Sequence, residues 1–401
     1  MSVQLINRSP DLLRLREEGH DIAIVADHLV VRSVPYVDAA RNIRLGSLVS
    51  ELTLADDCTT KPGTHVMHFV GRYPCDANGH RLEKIFNQTS TRDLGAGLVI
   101  EHSFSSKPPK GYPDYYEKVS AYVAMVTNPA QAIDPSVTAR CYRVIDTVDD
   151  ESPFVYIDTA TSRAQIGVVN QKLRQLKIAI IGIGGTGAYV LDQVAKTPVG
   201  SIEIFDPKVF LQHNAFRAPG AASREDLAKK PFKTDYYREM YSQMHRGIRS
   251  HPVALAEENL HLLNDIDFVF LCLDAGTAKA AIIKKLEQDG VSFVDVGMGI
   301  ELVNDELIGI IRVTTSTPTM RKQVHDKNRI PLQGDGQANL YDTNIQTADL
   351  NMLNAALAVM KWKKIYHVYM DLEREHFTAL TIDGNHLLNE DIEKDDKGDV
   401  A

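Results

Sequence analysis

The segment KIAIIGIGGTGAYVLDQV, residues 177–194, runs from an almost wholly apolar stretch through four glycines into a helix-like stretch. Gly182, Gly184 and Gly187 satisfy G-x-G-x-x-G directly after a strand and directly before a helix, the context that this spacing requires. Glycines let the backbone turn tightly and approach phosphate. The helix that follows offers unpaired N–H groups and a partial positive charge. A bare strand-to-helix turn with no ligand is the alternative. Asp206 weighs against it: it ends SIEIFD (201–206), where a ribose-binding carboxylate belongs.

Outward from the loop, strand and helix alternate. SIEIFD is a second strand, residues 224–246 are helical, and DFVFLCLD (267–274) and SFVDVGMG (292–299) are further strands with the helix GTAKAAIIKKLEQDG between them; ELIGIIRVTT (306–315) is another strand. The alternation predicts an α/β fold, a Rossmann-like, mostly parallel sheet with helices on both faces. Ligands of such sheets bind beyond the carboxyl ends of the strands.

Residues 1–150 read differently. DHLVVRSVPYV (27–37) alternates, THVMHFVG (64–71) precedes a tight-turn signal at Asn78-Gly79, and SSKPPKGYPD (105–114) is a proline-rich loop. YYEKVSAYVAMVTNPAQAI reads as a helix stopped near Asn128-Pro129. The expectation is a separate, smaller α+β domain over 1–150, a boundary in the acidic stretch 146–154, a second domain over 160–385 and a charged flexible tail over 386–401.

The 401 residues suit two domains, and 44% hydrophobic with 24% charged residues is an ordinary globular composition. A net charge of −9 argues against general nucleic-acid binding. No run of about 18 apolar residues predicts a membrane span, and the charged N-terminus lacks the apolar core of a signal peptide. Cys58, Cys75, Cys141 and Cys272 are scattered without a C-x-x-C pair, so they read as reduced thiols of a cytoplasmic protein rather than as zinc ligands. His65 and His68 fall on opposite faces of a strand and lack a third ligand, so they read as non-metal histidines.

The glycine loop and Asp206 fit NAD as well as ATP. The loops beyond the next strands discriminate. DPKVFLQHNAFR places Asn214 and Arg217 after the ribose carboxylate. Asn can hydrogen-bond phosphate oxygens, and Arg can neutralise charge on a leaving pyrophosphate. Lys233 opens the next helical run and supplies a point charge for phosphates. Asp274 ends its strand where a magnesium-binding carboxylate would sit. Singly, each also reads as a solvated side chain or a helix cap.

As a set these residues resemble the ThiF-like branch of the ubiquitin-activating-enzyme superfamily. The family's G-x-G-G-x-G is met by Gly182, Gly184, Gly185 and Gly187, and its D-x-D…N-L-x-R stretch resembles DPKVFLQHNAFR. The resemblance implies a ribose role for Asp206, phosphate roles for Asn214 and Arg217, and a phosphate lysine at Lys233, with Lys230 as rival. It also implies a magnesium aspartate at Asp274 and a catalytic arginine at Arg163, ahead of the glycine strand. It covers roughly residues 160–380. The implied chemistry is attack by the C-terminal carboxylate of a ubiquitin-like protein on the α-phosphate of ATP, with Mg2+, giving an acyl-adenylate and pyrophosphate in a homodimer. An extra N-terminal domain in this branch implies a bacterial conjugation or defence system with a ubiquitin-conjugating-like partner. The expected role of residues 1–150 is to recruit the carrier or that next enzyme.

The chain departs from the family pattern at Lys208, where a second acid is usual, and at Ala275, where Asn is usual. No cysteine follows Cys272, so the usual catalytic cysteine is missing. An adenylate handed to another protein is then the simplest outcome. A hydroxyl such as Ser316 or the thiol of Cys75 are the alternatives. Adenylation of a peptide or tRNA-base carboxylate, an NAD oxidoreductase and an inactive carrier-binding scaffold are the competing readings.

Overall fold

The computed structural model describes residues 2–55, 58–144, 152–164, 166–274, 276–332 and 345–394. The chain divides into two compact units, Met1–Ile145 and Asp146–Ala401. Of the expected boundary, 146–151 lie outside the described residues, as do Ala275 and the terminal 395–401. No described helix is long and apolar enough to cross a membrane.

The first unit is an antiparallel sheet with one long helix. Its strands lie in the order Asp21–Val25, His28–Val37, Ile43–Glu51, Val66–Val70, Val99–Ser105, Phe86–Asp93. The helix Tyr115–Ile133 is capped by Asp114, whose carboxylate accepts from Glu117 N at 2.8 Å. It runs on through Pro129, beyond the expected stop at Asn128-Pro129. Val119, Tyr122, Val126 and Ala130 are all fully buried. This apolar stripe continues past the proline, and its packing offsets the lost hydrogen bond, worth about 3 kcal/mol with the ring clash.

The second unit carries an eight-stranded sheet in the order Ile248–His251, Ser201–Phe205, Lys177–Ile181, Phe268–Leu271, Ser292–Val303, Glu306–Ser316, Phe377–Thr381, His386–Glu390. The first five strands are parallel and the last three pairings are antiparallel. The chain order reverses across Lys177–Ile181, where the neighbours on the two sides are reached by opposite crossovers. That is where open α/β sheets bind ligands.

Alternation along the parallel strands explains the two layers. Ile178, Ile180, Ile202, Ile204, Phe268 and Phe270 face one apolar cluster with Leu191 and the fully buried Trp362, which belong to helices Gly185–Val194 and Ala348–Ile365. Ala179, Ile181, Phe205, Val269 and Leu271 face the other, with Ile282 and Leu286 of helix Thr277–Gln288.

Two expectations are corrected. The helical run over 224–246 is broken into Arg224–Lys229 and Lys233–Ser242. Pro231 excludes a continuous helix, and Lys230 takes the left-handed conformation at φ 48° between them. The stretch from 386 is also not a solvated tail up to 394. His386–Glu390 pairs with Phe377–Thr381, and Asp391 is ion-paired to Lys327 and to Arg329 Nε, the latter at 2.9 Å. Sequence-level charge hides this because the acids meet cations some 60 residues away in the chain.

Asp391 tests this. Its side chain is 3% exposed. Asp391→Asn is expected to lower stability in urea by about 1–3 kcal/mol, the usual worth of hydrogen bonds to charged groups. A solvated tail would leave the midpoint unchanged.

Candidate active site

The glycine loop is fixed by steric necessity at three of its four glycines. Gly182 has φ +90°, and a Cβ there would lie 2.6 Å from the carbonyl oxygen of Cys272 on the neighbouring strand. A Cβ on Gly187 would collide with the Gly182 carbonyl, and one on Gly185 with the Asn351 side chain. Gly184 is different: a Cβ there would meet nothing within 4 Å among the described residues. Its neighbourhood is open space at the N-terminus of helix Gly185–Val194, where a ligand can approach the backbone.

Asp206 braces this loop from the adjacent strand end. Its Oδ2 accepts from Ile183 N at 3.0 Å, its Oδ1 accepts from Lys208 N at 2.8 Å, and Lys233 Nζ stands 3.8 Å away. Asp206 and Lys233 are both buried. Burial lowers the Lys233 ammonium below the ordinary lysine range, with Asp206 opposing. Lys230 is exposed, so of the two candidate lysines Lys233 is the one held at the loop.

A cavity of about 830 Å3 opens beyond these strand ends. It brings together Gly182, Gly184, Gly185, Asp206, Arg217, Lys233 and Asp274. Arg217 Nε is buried there and has no hydrogen-bond partner among the described residues. Asp274 is exposed at the rim. Gly187 and Asn214 do not line the cavity. Asn214 is buried instead, and its Oδ1 accepts from Leu211 N at 2.9 Å, capping the short helix Gln212–Ala215 just ahead of Arg217. Arg163 ends helix Thr159–Arg163, and its side chain lies outside the described residues.

The structure adds residues that the motif reading passed over. Asn351, fully buried on helix Ala348–Ile365, donates from Nδ2 to Arg217 O at 3.2 Å and accepts from Thr186 Oγ1 at 2.8 Å. It ties the glycine loop to the arginine loop. Asp295 is fully buried within the strand Ser292–Val303, paired with Lys279 and with Arg312 Nη1 at 2.9 Å. Lys279 Nζ also donates to Leu273 O at 3.0 Å, next to Asp274. Lys279 and Arg312 both line the cavity. A signal existed: a carboxylate inside SFVDVGMG and a cation inside IGIIRVTT are costly in an apolar sheet unless paired.

The cysteine alternatives lose ground. Cys75 is buried, and burial pushes its thiol up. Cys272 borders the cavity, but burial pushes its thiol up as well. Ser316 is also fully buried, which takes its hydroxyl out of reach. His65 Nε2 stands 3.0 Å from Ser105 Oγ and His68 is buried. Among the described residues no cluster of three or more His, Cys, Asp or Glu is placed to hold a metal.

The order of strands, the glycine loop and the sequence match agree. Residues 160–327 match the ThiF family. Residues 10–159 match a family described as a domain of unknown function, DUF6791. No curated protein matches the chain. Among solved structures, the chain is similar to E. coli MccB with ATP at 18% identity, covering 57% of this chain and 67% of that one, with a TM-score of 0.44. E. coli MccB with succinimide gives 18%, 56% and 66%, with a TM-score of 0.42. PaaA gives 19%, 56% and 75%, with a TM-score of 0.42. The chain therefore spans about two thirds of the length of MccB.

The glycines of the loop separate steric from ligand constraints. Gly187→Ala is expected to cost at least about 2 kcal/mol through overpacking. Gly184→Ala should stay within about 1 kcal/mol of the unmodified protein, there being no neighbour to displace. Denaturant unfolding of the two variants checks both, and equal losses would contradict the assignment of Gly184 to open space.

Proposed function

We propose that this chain uses MgATP to adenylate the C-terminal glycine carboxylate of a ubiquitin-like protein. The observation that carries the reading is the single cavity that gathers the open glycine at 184, the orphaned Nε of Arg217, the buried Lys233 and the exposed Asp274. An unpaired buried guanidinium nitrogen calls for an anion, and the glycine backbone beside a helix N-terminus suits phosphate.

In this reading Arg217 and Lys233 hold the phosphates and Asp206 takes the ribose. Asn214 acts through the capped loop that carries Arg217. A lone exposed carboxylate at Asp274 suits magnesium, which binds through one or two carboxylates together with substrate phosphates and water. Mg2+ would supply charge neutralisation there. The carboxylate oxygen of the carrier attacks the α-phosphorus, the bond to the bridging oxygen breaks, and pyrophosphate leaves with the electron pair. No proton moves, so no protein base is needed, and catalysis is positioning and charge neutralisation.

The acyl-adenylate is the end product of this site, because burial raises the thiols of the buried Cys75 and of the half-buried Cys272. Residues 1–150 recruit the carrier or a ubiquitin-conjugating-like protein. Two copies act together, and Arg163 is taken as a catalytic arginine. The setting proposed is a bacterial ubiquitin-like conjugation or defence system in the cytoplasm.

ATP–pyrophosphate exchange with a candidate carrier tests the reading. Arg217→Ala and Asp274→Ala are each expected to lower exchange by about 10²-fold or more, the usual loss of one preorganised charge. Nucleotide binding without exchange in the unmodified protein would favour the inactive-scaffold reading. Removing residues 1–150 should leave ATP binding intact and abolish transfer to the acceptor; full transfer by the shortened chain would reject the recruitment role.

A further inference from the structure

The glycine loop and Arg217 face one cavity, and they are joined by a side chain that does not itself line it. Asn351 is fully buried on helix Ala348–Ile365. Its single amide spans both segments: Oδ1 accepts from Thr186 Oγ1 at 2.8 Å, and Nδ2 donates to Arg217 O at 3.2 Å. Thr186 is the second residue of helix Gly185–Val194, two places past the open glycine at 184. Arg217 carries the buried Nε without a partner among the described residues.

Packing fixes this amide as firmly as its hydrogen bonds do. A Cβ on Gly185 would collide with Asn351 Nδ2, Cγ and Oδ1, so the side chain rests directly on the glycine backbone. The main chain of Arg217 is held from both sides. Its N–H donates to Asn214 O at 3.1 Å, and its C=O accepts from Asn351. With both backbone groups engaged, the root of the guanidinium stands at a set distance from the helix N-terminus that follows Gly184. Asparagine is suited to this because one short planar group carries a donor and an acceptor. Asp lacks the donor, and Leu lacks both.

We propose that Asn351 is a positioning residue, which sets Arg217 against the distal phosphates of a nucleotide whose first phosphate lies on the glycine loop. It touches no ligand and acts through Arg217. A charge aimed at the leaving phosphates stabilises them only if it is already in place, so the amide supplies preorganisation rather than binding. This rests on the adenylation reading and adds a residue outside the glycine and arginine motifs.

The test is calorimetry of MgATP and of AMP on the full chain. AMP has no distal phosphates, so it reads the loop and ribose contacts without Arg217. Asn351→Ala is expected to weaken ATP about tenfold, or about 1.4 kcal/mol, and to leave AMP within about twofold. Arg217→Ala should show the same pattern. The Asn351→Ala/Arg217→Ala double variant should bind ATP no more weakly than Arg217→Ala alone, because a residue acting through another adds nothing once that one is gone. Gly185→Ala/Asn351→Ala refills the space that the lost amide leaves. It is expected to regain the urea midpoint of the unmodified protein without regaining ATP affinity. Unchanged ATP affinity in Asn351→Ala, equal weakening of ATP and AMP, additive losses in the double variant, or recovery of ATP affinity on refilling would each overturn the positioning role while ATP binding stands. Failure of the unmodified protein to bind ATP would instead overturn the adenylation reading, and this inference with it.

Discussion

Three segments of the second unit meet on the carboxylate of Asp206. It accepts from the backbone of the glycine loop at Ile183, from its own turn at Lys208, and faces the buried ammonium of Lys233. A carboxylate at this depth needs those donors, because an unpaired buried charge is expensive. Meeting the need also sets the geometry. The loop, the strand end and the start of helix Lys233–Ser242 cannot shift independently, so the cavity wall is preformed.

The helix Ala348–Ile365 does for the other side what Asp206 does for this one. Asn351 occupies the place a side chain at 185 would take, and links Thr186 to the backbone of Arg217. Three residues along the same helix, Asn354 holds the carbonyl of Gly297. One helix face therefore sets both the glycine loop and the strand edge across the cavity. Neither asparagine belongs to a nucleotide motif. Both are buried polar groups whose partners lie 57 to 165 residues away, which is why a local reading could not assign them.

Much of the site was legible before folding. The glycine loop announced itself through strand–glycine–helix order, and Asp206, Arg217, Lys233 and Asp274 each follow a strand in the sequence and line one cavity in the structure. Asn214 was read by residue type, and it lies outside the cavity as a helix cap. The choice between Lys230 and Lys233 needed the break at Pro231, which exposes one and buries the other. The Lys279–Asp295–Arg312 cluster was visible only as charges in apolar runs, since pairing across strands and helices is a tertiary fact.

The sequence by itself determined the α/β layering, because buried parallel strands must be apolar on both faces and the glycine loop must follow the first of them. Which of the loop's glycines are obligatory was instead a matter of tertiary neighbours, the Cys272 carbonyl beside Gly182 and the Asn351 side chain beside Gly185. Only the tertiary structure decided where the sheet stops being parallel and that residues 386–391 close it. The reason is that the last strands are held by pairings with distant partners, Phe377–Thr381 and the cations Lys327 and Arg329, and an acidic C-terminal stretch reads as solvated until those partners are in place.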